Sequence, residues 1–338
     1  MTGTSQAPAM SVVLATPGDF TTIAATVRHL RRQSIAERLE LVVVARAADA
    51  LSVGESAFHG FWGHQVVGVG RVVSAGQANA AGVRAARAAV VALAEDHCFP
   101  EPEWAEALLE RHARGDVAAV GPVFRNANPA TLVSWCDFII GYGPWMEPGT
   151  SGDQPFLPGH NSSYRKAVLL EVGARLEKFL EAETVLHLEL RRQGHRLVLE
   201  PRARTAHTNF GRLGSWLPVQ YHHGRVFAAE RARRWTWPKR AFYAAASPLI
   251  PGVRFVRAVR HLRRAKRPRP SLARLGPLLA LGLAADGLGQ LVGYLSGAGA
   301  ASQQLARCEF QRIDHVPESD RQLWADVVDQ PESPARRA

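Results

Sequence analysis

Glu95, Asp96 and His97 follow the apolar run AVVALA, so two carboxylates and an imidazole leave the chain at one strand end. Glu95 and His97 are two apart, a spacing that lets both reach one divalent cation from a single turn. The competing reading is a solvated turn whose acids cap the helix that begins near Pro102. Glu183, with Glu181 just before it, opens a helical pattern, where the positive end of the helix dipole keeps an acid ionised and able to take a proton from a hydroxyl. Acidic first turns are also ordinary helix chemistry, and His187 one turn later reads as a neighbour. LPGHNSSYRK, from Leu157, joins Gly159 to His160, Asn161, Ser162 and Ser163. That set suits a loop that bonds hydroxyl groups at close backbone approach, or equally an N-cap. Asn161 opens an Asn-x-Ser sequon, although no secretory signal accompanies it. His207, in TAHTN, is a third candidate ligand or a buried, hydrogen-bonded histidine.

Short β-type runs alternating with amphipathic stretches must position these groups, and that order predicts βαβ units and a mostly parallel sheet flanked by helices. SVVLAT, from Ser11, is the first strand. Asp19 then caps a helix whose Ile23, Val27 and Leu30 form one stripe. LELVVV, from Leu39, and VVGVGRVV, from Val66, are the next strands, followed by an Ala-rich helix from about Ala78 to Arg87 and a fourth strand from Ala89. Glu95 to His97 therefore fall at the carboxyl edge of a sheet, where open α/β folds bind ligands. VAAVGPV, from Val117, is a further strand, and the Gly/Pro-rich stretch from Gly141 to Gly159 reads as a long loop over the site. A helix from Glu181 ends at Gly194, before the strand RLVLE from Arg196.

The charge is localised. Of a net +11, the segment from Arg225 to Arg274 carries 15 Lys/Arg against the single acid Glu230, which leaves the rest slightly acidic. RFVRAVRHLRRAKRPRP, from Arg254, is a basic amphipathic pattern of the kind that lies on anionic membranes. The apolar stretch from Leu275 that follows contains Asp286 and Gln290, which weakens a spanning assignment; a buried helix is the alternative. Three widely spaced cysteines without a CxxC pair argue against a zinc site or disulfide framework and fit a reducing cytoplasm. Residues 1–10 read as a disordered leader, 11–215 as the catalytic domain, 216–310 as a basic and apolar helical region, and 311–338 as a polar tail.

Taken in order, these segments resemble the catalytic domain of glycosyltransferase family 2, over roughly Ser11 to Asn209. GQANAAGVRAARAAVVALAEDH is similar to the family's helix, strand and Asp-x-Asp segment, with Glu95 and His97 on the two aspartate positions. GHNSSYRK is similar to its glycine, asparagine and arginine segment, and EAETVLHLELRRQGHRLVLEP to its Glu-Asp helix. The resemblance implies a GT-A-like α/β fold with a Rossmann-like nucleotide-binding half and an α-helical, membrane-associated C-terminal region. It implies Glu183 as the catalytic base, with Glu95, His97 and His207 holding Mg²⁺ or Mn²⁺. Thr16, Arg46 and Asp96 would contact the donor, and Gly159, His160 and Asn161 the substrate. Ala45 and Arg46 stand where the family carries an aspartate that contacts a uridine base, so the donor nucleotide stays open. The expected activity is inverting transfer from a nucleotide sugar to a glycan or lipid-linked acceptor, on the cytoplasmic face of an anionic membrane. A catalytically inactive sugar-nucleotide or glycan binder is the rival reading. Specific nucleic-acid binding ranks lower, because the basic residues flank an apolar stretch and are not interleaved with stacking aromatics.

Overall fold

The structure is a computed structural model that describes residues 7–325, except 48, 50, 52, 53, 116 and 265–268. The first six residues of the expected leader, residues 265–268 of the basic stretch and residues 326–338 of the expected tail lie outside the described residues. Nine strands are formed among those described: β1 (Met10–Ala15), β2 (Leu39–Ala45), β3 (Gly63–Gly68), β4 (Val90–Ala94), β5 (Cys98–Pro100), β6 (Val117–Asn126), β7 (Gly152–Asp153), β8 (Ser163–Arg165) and β9 (Arg196–His207). The principal helices are α1 (Ala24–Arg31), α2 (Ala75–Ala85), α3 (Trp104–Ala113), α4 (Leu132–Tyr142), α5 (Lys166–Glu171), α6 (Leu176–Leu180), α7 (Glu183–Arg192), α8 (Leu213–Arg231), α9 (Trp237–Ala246), α10 (Ile250–Arg264), α11 (Leu272–Ser296) and α12 (Ala301–Glu309).

The strands form one sheet in the order β3-β2-β1-β4-β8-β6-β9-β5, with β7 paired to β9. The α/β architecture is the one expected. β1 to β4 pair in parallel, while β8 runs antiparallel between β4 and β6 and makes the sheet mixed beyond that point. β1 and β2 are buried along their whole length, as strands covered on both faces must be. Ile23, Val27 and Leu30 form the predicted stripe and are fully buried, although Asp19 caps a short 3-10 turn before α1 rather than α1 itself. Met10, expected as the last leader residue, opens β1.

Three elements have boundaries other than those expected. β3 begins at Gly63 and ends at Gly68, where its partner β2 ends, so the predicted run from Val66 starts too late. α2 starts at Ala75 because Ser74 caps it, accepting from the Gln77 amide at 3.1 Å. β9 is longer than RLVLE and reaches His207, with an irregularity opposite Pro122 and Val123 of β6.

The C-terminal helices pack on the sheet domain. Residue 215, the expected end of the catalytic domain, lies in the first turn of α8. Trp216 is fully buried, and its Nε1 donates to Asp137 of α4 at 3.0 Å. α8 and α11 approach closely through small residues. A Cβ on Gly224 would lie 2.1 Å from the Asp286 carbonyl oxygen, and one on Gly289 would lie 2.0 Å from that of Tyr221. α11 is long and apolar enough to cross a membrane, yet half of its apolar stretch is buried against the protein. Asp286 of α11 pairs with Arg254 of α10 at 2.5 Å and accepts from Gln290 at 2.9 Å, which accounts for polar residues on an apolar helix.

Candidate active site

Strand pairing gathers the first candidates. β5 runs antiparallel to β9 with Cys98 opposite His207, and Thr208 N donates to the His97 carbonyl at 3.0 Å. The turn between β4 and β5 therefore delivers Glu95 and His97 beside His207. Donor atoms of these three residues lie within 4.8 Å of one another. His97 Nε2 is 3.7 Å from Glu95 Oε1, and His207 Nε2 is 3.8 Å from Glu95 Oε2.

The ring orientations fit a cation. His97 Nδ1 is 2.6 Å from Asp96 Oδ1 and His207 Nδ1 is 2.8 Å from Asn209 Oδ1, so each Nδ1–H donates to an oxygen and each Nε2 keeps its lone pair. His97 Nε2 is buried without a hydrogen-bond partner. Burial, followed by His97 and Arg312, holds His207 well below the usual imidazole range, so this ring stays neutral as a ligand must. The competing picture of a solvated helix-capping turn fails here, because Asp96 and His97 are both buried.

Glu183, at the first residue of α7, faces the same space. His160 stands between the two acids, with Nδ1 3.3 Å from Glu95 Oε1 and Nε2 3.3 Å from Glu183 Oε1. Burial raises the Glu183 carboxyl above its ordinary value, with His160 pulling the other way. Gly159 makes this approach possible, since a Cβ there would come within 2.5 Å of the Glu183 carboxyl carbon. Glu181 is engaged elsewhere: it accepts from Ser74 Oγ at 2.8 Å, Lys178 Nζ at 3.2 Å and Ser302 Oγ at 3.1 Å. His187 lies behind the site, accepting from Leu157 N and bonded to the Tyr164 hydroxyl at 2.9 Å.

A cavity of about 1200 Å³ opens over Glu95, Asp96, His97, His207, Glu183 and His160. The stretch from Gly141 to Gly159 walls it, as expected of a segment lying over the site. Other candidates sit apart from this space. Asn161 is buried behind the wall, in a left-handed turn with φ 58°, and its carbonyl accepts from Trp104 Nε1 at 3.1 Å. Ser162 and Ser163 bond backbone carbonyls. Thr16 braces the turn after β1 through Thr22 Oγ1 at 2.7 Å, and Arg46 is exposed at the end of β2; neither lines the cavity.

A sequence model of the family Glycosyl transferase family 2 matches residues 11–173. Those residues therefore carry the sequence pattern of a family 2 glycosyltransferase domain. The chain is also similar to solved structures, among them the following three. GalNAc-T7 with UDP, GalNAc and Mn²⁺ aligns at a TM-score of 0.46 and 13% identity over 60% of this chain; the chain spans 43% of that protein. S. aureus TarS 1-349 with UDP aligns at 0.44 and 15% identity, over 85% of this chain and 90% of that one. The mannosyltransferase PcManGT from Pyrobaculum calidifontis, with GDP-Man and Mn²⁺, aligns at 0.47 and 16% identity, over 89% and 86%. No curated protein matches the chain.

Among the cavity residues that escaped the sequence reading are Asp137, His223, Glu309 and Arg312. They come from α4, α8, α12 and the turn after it, beyond or between the matched motifs, and nothing in their spacing marks them. Glu309 Oε2 is 3.7 Å from His97 Nε2, and Glu309 Oε1 is 3.4 Å from His223 Nε2. Burial would raise the Glu309 carboxyl, but Arg312, His223 and His97 outweigh it and hold it well below the usual range.

Proposed function

We propose that this glycosyltransferase moves a sugar, with inversion, from a nucleotide-sugar donor to a hydroxyl of a glycan or lipid-linked acceptor, in cell-envelope or exopolysaccharide synthesis. The observation that carries the reading is the Glu95, His97 and His207 cluster facing Glu183 across His160 in one cavity. Glu95, His97 and His207 would hold Mg²⁺ or Mn²⁺, which neutralises charge on a diphosphate leaving group when bound. Asp96 and Asn209 fix the tautomers of the two imidazoles. Glu183 takes the proton of the acceptor hydroxyl as its oxygen attacks the anomeric carbon. A raised carboxyl suits that task, because its basicity lies closer to the working pH.

The domain reading, with 11–215 as the catalytic part and 216–310 as a membrane-associated region, rests on the distribution of charge and apolar surface. Leu281, Leu288 and Leu295 recur every seven residues on the exposed side of α11, and Leu249 just before α10 and Val253 and Val256 within it are exposed. Arg257, Arg260 and Arg264 of α10 line the cavity mouth, so an acceptor held at an anionic surface on the cytoplasmic side would enter past them. Thermal denaturation with UDP-, GDP-, dTDP- and CMP-sugars, with and without Mn²⁺, tests the donor class. One nucleoside diphosphate sugar should raise Tm in a Mn²⁺-dependent manner and release its nucleoside diphosphate with an acceptor. Equal melting in all of them would overturn the reading.

A further inference from the structure

Arg312 follows α12 and is 3% exposed. Its guanidinium lies over the Phe210 ring at 3.7 Å, and its Nη2 donates to Glu309. The other edge is open. Asp137 Oδ2 lies 3.6 Å from Nη1, and the Asp137 oxygens are already taken by the Phe210 amide at 2.9 Å and by Trp216 Nε1 and Gln220 Nε2 at 3.0 Å each. Nε and Nη1 are buried with no hydrogen-bond acceptor, although Arg312 lines the cavity beside Glu95, His97 and His207. Buried guanidinium N–H groups without acceptors are costly, so an anionic group in the cavity is what they lack.

The segment that carries Arg312 is fixed in place. Gly211 N donates to the His315 carbonyl at 3.0 Å, His315 Nδ1 meets Ser215 Oγ at 2.9 Å, and Asn128 Nδ2 donates to Asp320 at 3.1 Å. Pro317 sits against Gly211 so closely that a Cβ there would lie 2.3 Å from its ring. Arg312 therefore presents a preorganised planar fork, the geometry that matches phosphate oxygens.

We infer that Arg312 is a diphosphate-binding residue, which makes the segment around residues 309–320 part of the active site although it lies far outside the matched residues 11–173. The inference rests on the nucleotide-sugar reading above. In the transfer, the bond from the anomeric carbon to the diphosphate oxygen breaks and its electron pair stays on that oxygen. The acceptor oxygen bonds to the carbon, its proton goes to Glu183, and Arg312 meets the charge that develops on the leaving group.

Titration of inorganic pyrophosphate into the full-length protein with Mn²⁺, followed by calorimetry, tests this without knowledge of the nucleotide. Arg312→Lys keeps the charge that Glu309 and Asp137 require but loses the fork. It should melt near the wild type and bind pyrophosphate at least about tenfold more weakly, as the loss of a charge-assisted hydrogen bond implies. Arg312→Ala should bind more weakly still. A folded Lys or Ala variant that binds within twofold of wild type makes Arg312 a structural counter-ion and overturns the inference. If neither variant folds, protein with Arg257, Arg260 and Arg264 replaced by Gln decides in EDTA: residual, salt-sensitive pyrophosphate binding supports Arg312, and its complete loss overturns it. Wild type that ignores pyrophosphate even with Mn²⁺ sinks the nucleotide-sugar reading as well.

Discussion

Glu183 combines features that are unusual for an acid in the first turn of a helix: burial raises its carboxyl, a glycine clears space for it, and His160 ties it to Glu95. As the proposed base, Glu183 must be ionised to work, so turnover should decline as the pH falls through a value above the ordinary carboxylate range. Glu183→Gln should cut kcat by about 10²–10⁴-fold and abolish that acidic limb, while pyrophosphate binding stays close to wild type. Steady-state rates across pH 5–8 check it, and retention of near-normal turnover by the variant would pass the role to another group. Glu181, three times hydrogen-bonded, is a poor substitute.

At the scale of elements, the contact between α8 and α11 is made of backbone, not side chains. Gly289→Ala would push a methyl against the Tyr221 carbonyl and should cost about 1–3 kcal/mol, several degrees of Tm. Gly252→Ala, in α10 with nothing within 4 Å of its Cβ position, should instead gain up to about 1 kcal/mol from helix propensity. Equal melting of the two variants would show that the packing is looser than described. Buried histidines couple the sheet to pH. Burial lowers His112, bonded to Ser163 of β8 at 3.0 Å, from 6.5 to about 4, and His187 to about 3. The unfolded chain binds these protons first, so this part of the stability is complete above about pH 6.5 and is lost as the pH falls toward 4, at up to about 1.4 kcal/mol per unit for each ring. In urea titrations at pH 7 and pH 5, His112→Asn should lose less stability than wild type; identical losses would remove His112 as the cause.

For the whole molecule, the basic helix and the outward leucines of α11 make opposite salt predictions. Full-length protein should sediment with anionic vesicles at low salt, release in part at high salt through screening, and keep a salt-resistant fraction from apolar burial. Replacing Leu281, Leu288 and Leu295 with Gln should remove the resistant fraction, and replacing Arg257, Arg260 and Arg264 with Gln the sensitive one. Folded wild-type protein that stays in the supernatant at low salt would end the membrane reading. These substitutions are preferable to truncation near Trp216, because Trp216 is buried and Glu309 and Arg312 line the cavity.

Period and order made much of this legible in advance. The alternation of apolar runs with capped amphipathic stretches determined the α/β class, and the position of Glu95 to His97 at a strand end determined that they would meet a ligand edge, because both properties are local to the chain. Element boundaries such as that of β3 were not local: the strand ends where its partner ends. The sequence offered His207 either as a third ligand or as a buried, hydrogen-bonded histidine, and tertiary structure brings it to the cluster through the register of β5 against β9. Tertiary structure also decided that Asn161 turns away while His160 bridges two acids, because one left-handed residue sets the direction of the loop. Glu309 and Arg312 were invisible for the same reason: their role depends on a long-range fold-back, pinned at Gly211 and Asn128, that leaves no periodic trace in the sequence.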